Sequence, residues 1–215
     1  MRSPKAQAFR GQAALDLGVA PEPCFATFVK GEGNARALAY LRNPDSWPSA
    51  VVLVVGPEGS GKTYLGKAFV AEVEGARFAD DADAWNEAEL FALINRALGG
   101  EVARLVLASR KPLEDWDVKT PDLVSRLRNM PVVTLEEPGD DILEPVLRGL
   151  WAAVGRSVDQ EVVDFMLRRC PRGVAELRAV VAEIEEEARS ERADVTKAYV
   201  ARVLAREPEL FDGLD

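Results

Sequence analysis

Val51-Val52-Leu53-Val54-Val55 runs without a break into Gly56-Pro57-Glu58-Gly59-Ser60-Gly61-Lys62-Thr63. An apolar strand feeding a G-x-x-x-x-G-K-T loop carries a definite mechanism. The glycines let backbone N–H groups turn inward around phosphate oxygens. Lys62 can reach the β- and γ-phosphates, and the Thr63 hydroxyl can ligate Mg²⁺. A helix from Tyr64 to about Val73 follows, and its partial positive N-terminus favours an anion. The plain alternative is a Gly-rich turn between strand and helix. The full pattern in this context favours ADP or ATP with Mg²⁺, held by Gly56, Pro57, Glu58, Gly59, Ser60, Gly61, Lys62, Thr63 and Tyr64.

The pattern around the loop repeats strand and helix. Strand Val51–Val55 and helix Lys62–Val73 lead to strand Ala76–Asp80, helix Asn86–Leu98, strand Arg104–Ala108, helix Pro121–Met130 and strand Val132–Leu135. Such alternation implies an α/β fold with a parallel sheet. A shorter helical segment with Asn34, Ala35, Leu38, Ala39 and Leu41 precedes it and ends at Pro44 and Pro48. After Asp140 the character changes. Ile142–Val154, Asp159–Arg169, Val174–Arg189 and Thr196–Ala205 read as amphipathic helices with no strand between them, with Thr196 as an N-cap. The expected organisation is an extended tail over 1–23, an α/β nucleotide-binding domain over 24–138 and a small all-helical lid over 139–215. The acidic run Glu183 to Glu187 reads as a solvated helix face.

Composition narrows the chemistry. The 215 residues include no histidine, which removes histidine triads, histidine metal sites and imidazole bases together. Carboxylates, Lys, Arg and Mg²⁺ remain, which suits phosphoryl transfer. The net charge of −9 argues against binding nucleic acid over the whole surface and leaves a local basic patch open. Two cysteines, Cys24 and Cys170, make no disulfide framework, and no stretch approaches the roughly 18 apolar residues of a membrane span. The basic start is followed by no apolar h-region, so the expected location is the cytoplasm.

A P-loop protein needs an acid at the end of a neighbouring strand to hold Mg²⁺. Asp80-Asp81 stands there: Asp80 would orient the metal together with Thr63, and Asp81 the attacking water. The alternative is that Asp80, Asp81 and Asp83 cap the helix beginning near Trp85. Ser109, at the end of strand Arg104–Ala108, is a candidate neighbour of the γ-phosphate or an ordinary turn residue. Arg126, in Pro121-Asp122-Leu123-Val124-Ser125-Arg126-Leu127, can stabilise charge on a neighbouring subunit's nucleotide or be a basic residue on a helix. Arg172, in the break before Val174–Arg189, can reach back to the phosphates, with Arg178 as a second possibility. In the tail, Gln12-Ala13-Ala14-Leu15-Asp16-Leu17 can dock as an extended peptide through Gln12, Leu15 and Leu17, or be a frayed amphipathic turn.

Taken in order, Gln12 to Leu17, Phe25-Ala26-Thr27-Phe28-Val29-Lys30-Gly31-Glu32-Gly33-Asn34, Gly56 to Thr63, Asp80-Asp81, Ser109-Arg110-Lys111-Pro112, Pro121 to Leu127 and Arg172 resemble the Hda family. Its members are AAA+ homologues of the bacterial replication initiator DnaA that lack the C-terminal DNA-binding domain. The resemblance implies a P-loop AAA+ domain followed by a helical lid. It implies a negative regulator of chromosomal replication initiation. Bound to the DNA-loaded sliding clamp through the tail, such a protein stimulates hydrolysis of ATP held by DnaA. Arg126 then matches the arginine finger acting in trans, Arg172 matches sensor II, and bound ADP is associated with the active form. The partners implied are the clamp, DnaA, and DNA mainly through the clamp, with a homodimer left open. Only Glu74 to Ala79 separate the P-loop helix from Asp80, where family members carry another strand and helix. One edge strand fewer is therefore expected, and intrinsic ATPase activity is less strongly implied than binding.

Two other readings share the P-loop. One is an AAA+ ATPase acting as a helicase loader or remodelling factor, with its own acidic pair and a DNA-binding surface. The other is a small-molecule kinase, which the all-helical lid does not suggest. Substituting Gln12→Ala or Leu15→Ala is expected to abolish retention on immobilised sliding clamp while the circular dichroism spectrum stays parental. Parental retention would remove the tail motif from this role.

Overall fold

Five consecutive apolar residues, four of them β-branched, leave a strand no polar face to turn to water, so it belongs inside a sheet covered on both sides. In the computed structural model, which describes residues 22–206, β1 (Val51–Val55) is internal. It pairs in parallel with β3 (Arg104–Ser109) on one side and β4 (Val132–Thr134) on the other. β2 (Ala76–Ala79) pairs in parallel with β3, giving the order β2-β3-β1-β4. The sheet thus has four strands among the described residues, as expected from the short segment before Asp80.

Alternate residues of β1 serve two cores, as a period of two requires. Val52 and Val54 face one core, with Phe25, Leu38, Trp47, Leu65 and Phe69. That side is built by α1 (Ala35–Leu41) and α2 (Lys62–Glu72). Val51 and Leu53 face the other, with Leu90, Ile94, Leu123 and Leu127 from α3 (Glu87–Leu98) and α4 (Pro121–Arg128). α3 starts where Asn86 Oδ1 accepts the N–H groups of Ala88 and Glu89, and Glu87 and Glu89 occupy its positive first turn. α4 opens on Pro121, whose fixed φ suits a first helical turn and whose missing N–H costs nothing there.

The remaining helices are α5 (Asp140–Ala153), α6 (Gln160–Arg169), α7 (Val174–Glu191) and α8 (Lys197–Leu204). They enclose a core of their own that includes Trp151, Val163, Met166, Ile184 and Val200. Thr196 caps α8 by accepting the Tyr199 N–H at 3.2 Å. Asp159 stands at the N-cap of α6 without a capping bond from its side chain. The acidic run Glu183 to Glu187 is not wholly a solvated face. Helical spacing turns Glu185 inward beside Ile184 and Ala188, where it is 6% exposed and paired with Arg156 and Arg189. A buried carboxylate of this kind is held by its cations, because burial without them is costly. Both cysteines are free. No helix among the described residues is long and apolar enough to cross a membrane.

Phe69 ties α2 to the segment before β1. It is fully buried, stacked on Trp47 at 5.2 Å between ring centroids and edge-on to Phe25 at 6.5 Å. Phe69→Ala is expected to cost about 3–5 kcal/mol, read as a lowered urea midpoint.

Candidate functional site

The loop after β1 is anchored on the sheet before it turns. The Gly56 N–H donates to the Ser109 carbonyl at 3.2 Å, and the Leu135 N–H donates to the Val55 carbonyl at 2.8 Å. Gly59 (φ +73°) and Gly61 (φ +93°) then adopt left-handed conformations that side chains disfavour, and α2 begins at Lys62. Lys62 is 7% exposed, and its ammonium donates to the carbonyls of Gly56 at 2.8 Å and Pro57 at 2.7 Å. Burial, and then the Arg110 charge, lower its pKa, while Asp80, Asp81 and Glu58 oppose the shift. The Ser60 hydroxyl is buried with no hydrogen-bond partner among the described residues.

The acids come from the edge of the sheet. Asp80 follows β2, and its Oδ2 accepts the Thr63 hydroxyl at 2.7 Å. β2 ends one residue earlier than its sequence suggests, because the chain turns left-handed at Asp81 (φ +45°). Asp81 lies 3.7 Å from Arg110, which also donates to Glu58 at 2.6 Å. Asp83 lies 3.8 Å from the Lys111 ammonium. None of the three acids caps α3, since Asn86 does. Their alternative role is therefore taken by another residue.

These groups line a cleft of about 310 Å³ closed on its far side by the start of α7. Glu58, Gly59, Gly61, Lys62, Thr63, Tyr64, Asp80 and Asp81 are all there, while Gly56, Pro57 and Ser60 complete the loop. The Tyr64 hydroxyl is shared with Thr27 Oγ1 at 2.6 Å. Ser109 does not line the cleft. It is fully buried, and its hydroxyl closes its own turn by donating to the Lys111 carbonyl at 2.8 Å. Arg172 is also outside the lining, held by Asp140 at 2.8 Å, Glu137 at 3.8 Å and the Pro138 carbonyl. Arg178 lines the cleft instead, exposed and without an ion pair among the described residues. Arg126 lies in a second cleft, of about 480 Å³, with Ser49, Val51, Ile94 and Asn129. Gln12, Leu15 and Leu17 lie outside the described residues.

Two charged lining residues, Arg110 and Glu176, have no individual role in the sequence reading. Arg110 follows the buried Ser109, and the alternation of strand side chains was the available signal. Glu176, the third residue of α7, looks like any other glutamate of that helix. Here its Oε2 is buried without a partner beside the loop.

The residues fit a nucleoside phosphate. The left-handed glycines, the start of α2, an unpartnered buried hydroxyl and the Lys62 ammonium converge at one loop. Thr63 and Asp80 form the hydroxyl–carboxylate pair that would hold Mg²⁺, which when bound neutralises phosphate charge.

No family model matches the sequence, and no curated protein matches it. Solved structures share its fold. Domain III of the Thermotoga maritima replication initiation protein DnaA superposes with a TM-score of 0.73 over 87% of this chain and 98% of that one, at 17% identity. AMPPCP-bound DnaA from Aquifex aeolicus gives 0.62 over 81% and 71%, also at 17% identity. The Thermotoga maritima RuvB Holliday junction branch migration motor gives 0.65 over 90% and 74%, at 13%. The shared fold is a parallel α/β sheet followed by a small helical region.

Lys62→Ala is expected to weaken ADP and ATP binding by about 10- to 100-fold, the worth of a charged hydrogen bond. Asp80→Asn should remove the gain in affinity that Mg²⁺ brings. Both are read by calorimetric titration with and without EDTA.

Proposed function

We propose that the chain is an Hda-like negative regulator of replication initiation. In this reading residues 1–23 are a clamp-binding tail, 24–138 bind ADP or ATP with Mg²⁺, and 139–215 form the lid. Held on the DNA-loaded clamp, the protein offers Arg126 to ATP bound by DnaA and stimulates its hydrolysis. One observation carries the reading. The Arg126 side chain is exposed, has no carboxylate partner among the described residues, and stands in a cleft that shares no residue with the P-loop cleft. The Arg126 cleft includes Val51 at the start of β1, while the P-loop follows the other end of that strand, about 13 Å away by strand rise. An arginine so placed is apart from its own phosphate loop, which supports a role on a neighbour's nucleotide. The likeness to DnaA domain III supports a partner of the same build. The charge of −9 supports contact with DNA through the clamp rather than directly.

Nucleotide in this scheme serves as a regulator of shape. The tip of the P-loop touches the lid: a Cβ at Gly59 would meet Gly173 Cα at 3.0 Å and the Arg172 carbonyl at 3.3 Å. The second reading, an ATPase with its own turnover as a helicase loader or remodelling factor, is favoured by the Thr63–Asp80 pair. Turnover by the isolated protein that single-stranded DNA stimulates would support it.

Arg126→Ala is expected to lower clamp-dependent hydrolysis of DnaA-bound ATP by about 10³-fold or more, with nucleotide and clamp binding kept. Hydrolysis at the parental rate would overturn the proposal.

A further inference from the structure

Arg126 rests on an aromatic ring. Its guanidinium carbon lies 5.4 Å from the centroid of Phe91, over the ring. Phe91 comes from α3 and is half-buried, packed on the core that includes Leu123 and Leu127 on either side of Arg126 in α4. No hydrogen bond or ion pair reaches the Arg126 guanidinium from any described residue. Asp122 is one helical turn away and lines the same cleft, yet does not pair with it.

This matters because of how an arginine can be held. A free arginine on a surface samples many rotamers and loses that freedom when it engages a phosphate. A carboxylate could pin it, but would occupy the N–H fork that recognises phosphate oxygens and cancel the charge. A ring face attracts the cation through its quadrupole and takes none of the five N–H donors. It therefore orders the side chain and leaves the fork free.

Building on the trans-acting role of Arg126, we infer that Phe91 is its positioning residue: the ring holds the guanidinium ready for a neighbour's triphosphate without consuming its hydrogen bonds. The requirement is for a π-face at position 91, since an aliphatic residue of similar size fills the core equally well.

The test uses the full chain with DnaA–ATP and DNA-loaded clamp, titrating the protein to give a maximal hydrolysis rate and a half-saturating concentration. Phe91→Leu is expected to lower the maximal rate about two- to fivefold, the worth of an exposed cation–π contact, with the half-saturating concentration unchanged. Phe91→Tyr should restore the parental rate. Thermal midpoints are measured alongside, and Phe91→Met replaces Phe91→Leu if the leucine variant unfolds. Three results would overturn the inference. Leucine and tyrosine variants that lose activity alike would make Phe91 a packing residue. A parental rate for Phe91→Leu, with Arg126→Ala inactive, would leave the arginine's role standing and remove the ring's. Parental activity in Arg126→Ala would remove the trans arginine, and the ring's role with it.

Discussion

Everything at the P-loop depends on β1 being paired on both sides. Val55 is hydrogen-bonded through the Leu135 N–H, and Gly56 donates to Ser109, so the chain leaves the sheet from a point fixed by both neighbouring strands. A loop with two left-handed glycines would otherwise have many conformations to lose. The same parallel arrangement brings Asp80 from the end of β2 and Arg110 from the end of β3 to the same edge. Parallel strands end together, so chemistry from distant parts of the chain collects there.

The loop is not isolated from the helices that follow the sheet. Gly59 packs on the break at Arg172–Gly173, and Arg172 grips Asp140 and Glu137 at the crossing from β4 into α5. The segment before α1 reaches the same crossing, with the Glu32 N–H on Asp141 at 2.9 Å and the Glu136 N–H on the Gly33 carbonyl at 3.0 Å. A shift of the P-loop tip therefore meets backbone at α7, where only a small residue fits. In the proposed scheme this contact is the route by which nucleotide would act on shape. Arg172 clasps the crossing, while Arg178 of α7 joins Lys62 and Arg110 in lining the cleft.

Much of this was legible in the sequence, and for identifiable reasons. An uninterrupted apolar run, punctuated by glycines and followed by helical periodicity, marks strand, loop and helix by local rules alone, and each stands within a residue or two of its expected bounds. Thr196 as a cap follows from the same local chemistry. Glu185 was not legible, because an acidic run looks solvated until α5 and α6 supply the packing and Arg156 arrives from 29 residues away. The buried Ser109 hydroxyl, turned to its own backbone, was equally hidden.

The sequence by itself determined that there is a glycine-rich loop on a parallel sheet, an acidic pair after the next strand in the chain and a helical region behind it. Those features rest on short-range rules: side-chain period, glycine conformations and capping. Only the tertiary structure decided which cations face the cleft, that Asp80 meets Thr63, and that Arg126 lies at the far end of β1 on the ring of Phe91. The reason is that side-chain direction at a site is set by residues far away in the chain, through strand register and helix packing, and no local pattern encodes it.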